Sequence, residues 1–329
     1  MSAANLVSDR GVDARPESLE RALRACASLG VLTEDAAGKF GPTELSDVLT
    51  LDSPVSVKKF VEVLGANWFC KTWAGFYDAV RTGEPQTRNQ IGMEFWDYLK
   101  ANPTEMQNFG EAMKSNSLNS LRGVLENCDF SVHTYPLGAF VWILNSLRGV
   151  LENCDFSGSK KVIDVGGGFG HLAVALLEKY PSLRGAVLDM PDLIPMAKKS
   201  SQLSADVASR LEYIGGDMFD AVPAADVYIM KHIIHDWDDE RCIRLLRNCH
   251  RSMEGEGRVV CVDAVLPPIG DTSGTSAKLM DINMLVLIPG KERTRTQWEE
   301  LYKAAGFRIR TITPIKDNFG TSIMEGVKA

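Results

Sequence analysis

The stretch VIDVGGGFG, residues 162–170, decides the fold. Val162 to Val165 read as a short, mostly apolar strand holding one acid, Asp164. Gly166, Gly167, Gly168 and Gly170 follow, and HLAVALLEKY (171–180) continues with helical spacing. Glycines between a strand and a helix permit a tight turn and let a ligand approach the main chain. Downstream the alternation repeats. GAVLD (185–189), LEYI (211–214), ADVYIMK (225–231) and GRVVCVDAVL (257–266) read as strands, and DERCIRLLRNCHRSM (239–253) as a helix. Such alternation implies a parallel sheet covered on both faces, with ligands bound at the carboxyl ends of its strands.

Two ligand classes suit the glycine loop. Gly168-Phe169-Gly170 with Ala173 fits the G-x-G-x-x-A pattern of a dinucleotide site, which would make the chain a nicotinamide oxidoreductase. Asp189 ends the second strand, where an acid grips ribose hydroxyls in either reading. Three features favour a cationic adenosyl ligand. Asp164 precedes the loop, where a carboxylate meets a cation but repels a pyrophosphate. Gly216-Asp217-Met218-Phe219 offers an acceptor for an adenine amino group and an apolar plate for its ring. Lys231-His232-Ile233-Ile234-His235-Asp236-Trp237 puts a titratable imidazole at the same edge.

Upstream, residues 17–32 carry apolar positions at helical spacing, and VLTEDAAGKFGPTEL adds two short strand-like pieces around a turn at 37–39. Helix plus hairpin is the pattern of a winged helix. Residues 1–50 carry eight acids and five bases, a balance that argues against DNA and for a structural or dimerisation module. Residues 55–115 read as helices rich in Phe, Trp and Tyr, suited to a core and to a pocket wall. The domain division expected is 1–115, a connecting region 116–158, and 159–329.

The 329 residues suit about two domains. With 36 basic and 43 acidic residues the net charge is −7, which disfavours nucleic-acid partners. No stretch approaches the ~20 apolar residues of a membrane span, and the N-terminus has no signal-peptide pattern. Seven cysteines (26, 70, 128, 154, 242, 249, 261) form no Cys-x-x-Cys pair, so reduced thiols and a cytoplasmic location are expected. NSLRGVLENCDFS occurs twice, at Asn119–Ser131 and Asn145–Ser157. Each copy places Leu, Val, Leu and Cys at i, i+3, i+4 and i+7, one helical stripe. The simpler reading is a tandem duplication in which one copy fills the native helix position. An added helical hairpin is the other.

The motifs VIDVGGGFGH, LDMPDLI, GGDMF, MKHIIHDWDDE, Asp263–Pro267, GKERT and AAGF, in this order, resemble the class I S-adenosylmethionine-dependent small-molecule O-methyltransferases. This family includes plant phenolic and acetylserotonin enzymes and bacterial polyketide and phenazine enzymes. The resemblance covers nearly the whole chain. It implies an α/β architecture: a Rossmann-like methyltransferase domain with a mixed seven-stranded sheet, preceded by a mainly α-helical winged-helix domain. The chain starts at the winged helix, where the family has earlier dimerisation helices. The 26-residue duplication is foreign to the pattern.

By this resemblance Gly166, Asp189, Asp217, Met218 and Lys231 would hold S-adenosyl-L-methionine, Lys231 through its side chain or its backbone. His235 would be the general base for a hydroxyl, phenolic first among the possibilities, with Asp263 and Glu292 as the acids flanking it. Asp263 is one methylene shorter than the usual Glu. The loop before Lys291 has one glycine, Gly290, where two are common, which shortens the approach of Glu292. His232, three residues before His235, would point elsewhere. Met113 and Met284 match positions that clamp an aromatic ring. No metal is expected, since Asp236, Asp238, Asp239 and Glu240 read as a helix cap and dipole complement. A small aromatic hydroxylated substrate and a homodimer are the implied partners. An inactive winged-helix regulator is a further alternative.

Overall fold

The computed structural model describes residues 1–51, 53, 56–115, 138–201, 203–315 and 320–329, with side chains omitted at 114–115 and 138–145. The first repeat copy, with Cys128, and residues 132–137 of the segment between the copies, with His133, lie outside the described residues.

Near the N-terminus a helix, Pro16–Ser28, leads into a hairpin of β1 (Leu32–Glu34) and β2 (Phe40–Pro42). The turn is closed by Asp35, whose carboxylate accepts from the backbone N–H groups of Ala37 and Lys39. A further helix, Ala3–Arg10, capped by Ser2, precedes it and has no counterpart among the expected elements.

The main sheet is built from β3 (Lys161–Val165), β4 (Arg184–Asp189), β5 (Leu211–Gly215), β6 (Ala225–Lys231), β7 (Met253–Leu266), β8 (Arg293–Thr294), β9 (Phe307–Pro314) and β10 (Thr321–Lys328). Seven strands run in the order β5-β4-β3-β6-β7-β10-β9, and the two-residue β8 adds an eighth beside β7. The first five are mutually parallel, and β10 is antiparallel to both β7 and β9. This is the mixed α/β sheet expected. Alternate residues of each strand face opposite layers. Val162, Val227, Ile229, Val260 and Val262 pack into one core. Ile163, Tyr228, Met230, Val259 and Cys261 pack into the other, beneath helices Asp239–Ser252 and Arg295–Ala304.

The order also locates the ligand crevice. From β3 the chain proceeds outward through β4 to β5, then returns to lay β6 on the other side of β3. That reversal opens a crevice at the carboxyl ends of β3 and β6. The glycine loop leaves one of these strands and the His235 segment leaves the other.

The second repeat copy occupies a built position. In helix Gly138–Asn153 and just beyond it, Leu147, Val150 and Cys154 are buried in the first core with Leu151 beside them, the stripe read from the sequence. Deleting residues 119–144 keeps this copy whole. The variant is expected to fold cooperatively and to unfold within a few degrees of the full chain. A deletion variant that is insoluble or lacks a thermal transition would show that the added segment belongs to the fold.

The aromatic helices between residues 58 and 115 pack on the glycine loop and on helix Thr275–Leu287. Phe60, Trp68, Phe95 and Leu99 share a core with Phe169, Met284 and Leu287. Hydrogen bonds cross the same seam: Gln86 N donates to Val286 O at 2.8 Å, and Thr87 Oγ1 to Leu287 O at 3.0 Å.

Candidate active site

Gly166, Gly168 and Gly170 have φ of 67°, 58° and 82°, the region where a Cβ is strained. Space excludes side chains as well. A Cβ on Gly166 would come within 2.4 Å of Ile233 Cδ1, and one on Gly167 within 2.5 Å of Asp164 Cγ. The glycine loop therefore lies flat against the segment that carries His235.

Asp189, at the end of β4, supports that loop. Its Oδ2 accepts from Gly168 N at 2.8 Å and its Oδ1 from Met190 N at 2.7 Å. Burial raises its carboxyl, and the two backbone donors work in the opposite direction. Asp164 is buried under the loop and accepts from Ala173 N at 3.3 Å. Burial pushes it up to about 7, against the pull of Lys231. Lys231 is half-buried, so it is not a solvated strand-end lysine. Burial lowers it to about 8, opposed by the carboxylates of Asp164 and Asp263. Asp217 is exposed and its Oδ1 accepts from Phe219 N at 2.8 Å. Met218 is half-buried, and its carbonyl accepts from Asn248 Nδ2 at 2.9 Å. Trp237 lies edge-to-face on Phe219 and stacks on Trp96, which joins the N-terminal helices to this edge.

These residues fit an adenosyl sulfonium ligand. The bare loop admits backbone contact, Asp189 ends β4 directly beside it, and the acids near the loop complement a positive charge. A pyrophosphate would meet the same acids unfavourably.

His235 sits in a short 3-10 turn, Ile234–Asp236, directly after β6. Its ring is buried, and Nδ1 lies 2.7 Å from Glu292 Oε1. Asp263 Oδ1 is 3.8 Å from the same nitrogen, beyond hydrogen-bond range. The shorter Asp side chain stops short, and Glu292 makes the bond despite its loop having one glycine. Gly290 is what allows this: a Cβ there would stand 1.9 Å from His235 O. Burial disfavours the imidazolium, but Glu292, Asp263 and Asp236 outweigh it and raise the ring to about 10. Asp263, fully buried with neither oxygen accepting a hydrogen bond among the described residues, is raised to about 8, chiefly by burial.

The expectation that His232 points elsewhere is corrected. Its φ of 56° turns the chain sharply after β6 and brings Nδ1 to 3.5 Å from Asp263 Oδ1. Its Nε2 lies 3.3 Å from Ser146 Oγ, and its ring centroid 5.6 Å from that of His235. A left-handed non-glycine residue is not legible from the pattern KHIIHDW. Ligand-type atoms of His232, His235 and Asp263 lie within 4.8 Å of one another. Asp238, by contrast, caps helix Asp239–Ser252 by accepting from Arg241 N, as its sequence position suggested.

Met284 is buried beside the aromatic helices, and Met113 is half-buried against the cluster of Ala264 and Ala277. Sequence reasoning missed Arg293, which is fully buried beside Glu292. Its neighbours in GKERT were the only signal.

A family profile of O-methyltransferase domains matches residues 140–308. The phenazine O-methyltransferase of Lysobacter antibioticus is 33% identical over 95% of this chain and 82% of its own. The solved structure of a mitomycin 7-O-methyltransferase aligns with a TM-score of 0.84 at 29% identity, covering 100% of this chain and 88% of that one. An O-methyltransferase from neocarzinostatin biosynthesis, solved with S-adenosylmethionine and 2-hydroxy-5-methyl naphthoic acid, aligns at 0.77 and 28%, covering 100% and 89%.

Proposed function

The chain belongs to the S-adenosylmethionine-dependent O-methyltransferase family and moves a methyl group from that cofactor to a hydroxyl; we propose that the hydroxyl is phenolic, on a small aromatic metabolite, and that His235 removes its proton. The observation that carries this reading is the buried 2.7 Å contact between His235 Nδ1 and Glu292 Oε1. An acid at Nδ1 holds the proton there and turns Nε2 toward the role of base. A phenol of pKa ~10 is about one part in a thousand ionised at pH 7, a deficit of ~4 kcal/mol. A positioned base recovers part of that as the oxygen attacks. When bound, S-adenosylmethionine supplies the electrophilic methyl and a positive charge that works against protonation of His235.

In the same proposal Gly166, Asp189, Asp217, Met218 and Lys231 hold the cofactor, and Met113 and Met284 flank the acceptor ring. The adaptable thioethers of Met suit varied ring shapes. The 2-hydroxy-5-methyl naphthoic acid bound by a structural relative is a small hydroxylated aromatic molecule of this kind. No helix among the described residues is long and apolar enough to cross a membrane. The six described cysteines are free thiols, which supports a cytoplasmic location. A homodimer is part of the same proposal, and Leu29 and Tyr77, 70% and 75% exposed, are apolar side chains available to such a contact. No metal enters the proposed reaction.

The test is a pH profile. The base form of an imidazole near 10 grows with rising pH, so kcat/KM for a phenol is expected to climb about tenfold per unit between pH 7 and 9. Ionisation of the phenol itself gives a similar climb, so the decisive arm is Glu292→Gln. Removing that carboxylate lowers the imidazole and moves the rise toward acid by about one unit. Superimposable profiles for the two proteins would contradict the pairing.

A further inference from the structure

Arg293 has every donor engaged inside the protein. Its guanidinium is fully buried and lies over the Trp298 ring at 5.8 Å. Nε and Nη2 both reach Asp239 Oδ1, at 2.9 and 2.8 Å. Nη2 also donates to Trp237 O at 2.9 Å, and Nη1 donates to Ile234 O at 3.1 Å and Lys291 O at 3.2 Å. These contacts satisfy the five N–H groups of the fork.

The partners are not scattered. Ile234 precedes His235 in the chain, Trp237 follows it by two residues, and Asp239 begins the next helix. Lys291 flanks Glu292 on one side and Arg293 itself flanks it on the other. The turn's own backbone bonds, Asp236 N to Ile233 O and Trp237 N to Ile234 O, are long at 3.2 and 3.3 Å. The Cys242 thiol adds contacts to Ile234 O at 3.2 Å and to Trp237 O at 3.5 Å. A second ion pair, Lys291 Nζ to Asp239 Oδ2 at 2.7 Å, ties the same two segments from outside.

We infer that Arg293 is a positioning residue for methyl transfer: it clamps the turn carrying His235 to the loop carrying Glu292 and so fixes the base against its acid. The inference rests on the reading of His235 as the base, and Arg293 touches no reacting group. A lysine has no planar fork and cannot make these contacts together. A base misplaced by ~1 Å can lose ~10² in rate. Arg293→Met is expected to lower kcat by about that factor, and Arg293→Lys by about tenfold, with S-adenosylhomocysteine affinity changed by less than about threefold.

The experiment is a double-mutant cycle with His235→Gln, together with nitrogen-15 and proton NMR of histidine-labelled protein. Arg293→Met is expected to add nothing to the loss caused by His235→Gln, because a clamp has no effect once the base is gone. The Nδ1–H resonance of His235, identified by its absence in His235→Gln, is expected to shift or broaden in Arg293→Met. Equal losses in both backgrounds, or an unchanged resonance, overturn the clamp. Should His235→Gln keep full turnover, the base reading falls, while the resonance still decides whether Arg293 sets the His235–Glu292 contact. If Arg293→Met does not fold, Asp239→Asn keeps the guanidinium and weakens its half-exposed anchor. The same resonance change and a several-fold fall in kcat are then expected, and their absence overturns the inference.

Discussion

Replacing His235 by glutamine lowers methyl-transfer turnover by at least ~10² while S-adenosylhomocysteine still binds. The side chain is buried at the carboxyl end of β6, with Nδ1 2.7 Å from Glu292 Oε1. Glutamine approximates its size and keeps a polar partner for Glu292, so lost turnover reports lost proton transfer more than lost packing. The variant also leaves the Glu292 carboxylate buried without a cation, and removing one partner of such a pair is destabilising. Thermal unfolding should therefore be followed alongside rate, and the comparison made below the transition. Cofactor affinity separates the two roles: the residues proposed to hold the adenosyl group are Gly166 in the glycine loop, Asp189 and Lys231 at the ends of β4 and β6, and Asp217 and Met218 just after β5. Turnover within about twofold of the unaltered protein would remove His235 from the mechanism.

The second large effect is expected at Asp189. Its carboxylate, proposed to grip the ribose hydroxyls, accepts from Gly168 N and Met190 N. Hydrogen bonds to a charged group contribute about 1.5–3 kcal/mol each, so Asp189→Ala should weaken S-adenosylhomocysteine binding by ~10² or more. Part of that loss is indirect, because alanine also releases the backbone of the glycine loop. Titration calorimetry separates the two, since Asp189→Asn retains an acceptor for the loop and loses the charge. An unchanged dissociation constant in Asp189→Ala would show that the ribose is held elsewhere.

Much of this architecture is legible in the chain because its signals are local. A strand, a glycine run and a helix at 162–179 are adjacent in sequence, and the acids at 164 and 189 end strands whose parallel register follows from the alternation. The reversal that sets β6 beside β3 is a topological rule, and it brings His235 to the glycine loop. Contacts that depend on distant segments are less legible. Whether Asp263 or Glu292 bonds His235 turns on one methylene and on a backbone approach at Gly290 that only three dimensions reveal. The left-handed turn at His232 breaks the strand periodicity that placed it away from the site. Arg293 reads as a surface residue in a charged run, yet five contacts from residues 234 to 239 and 291 bury it. Duplication obscured the connecting region, because two identical copies carry the same stripe and packing alone distinguishes them.

The most direct measurement is transfer of labelled methyl from S-adenosylmethionine to a panel of phenols, hydroxylated polyketides and hydroxyphenazines, run with the unaltered protein and with His235→Gln. Label is predicted on a hydroxyl oxygen of at least one aromatic acceptor, undiminished by EDTA and lowered by at least ~10² in the variant. Equal transfer by both proteins, or transfer that stops with EDTA and returns with Mg²⁺, would contradict the account.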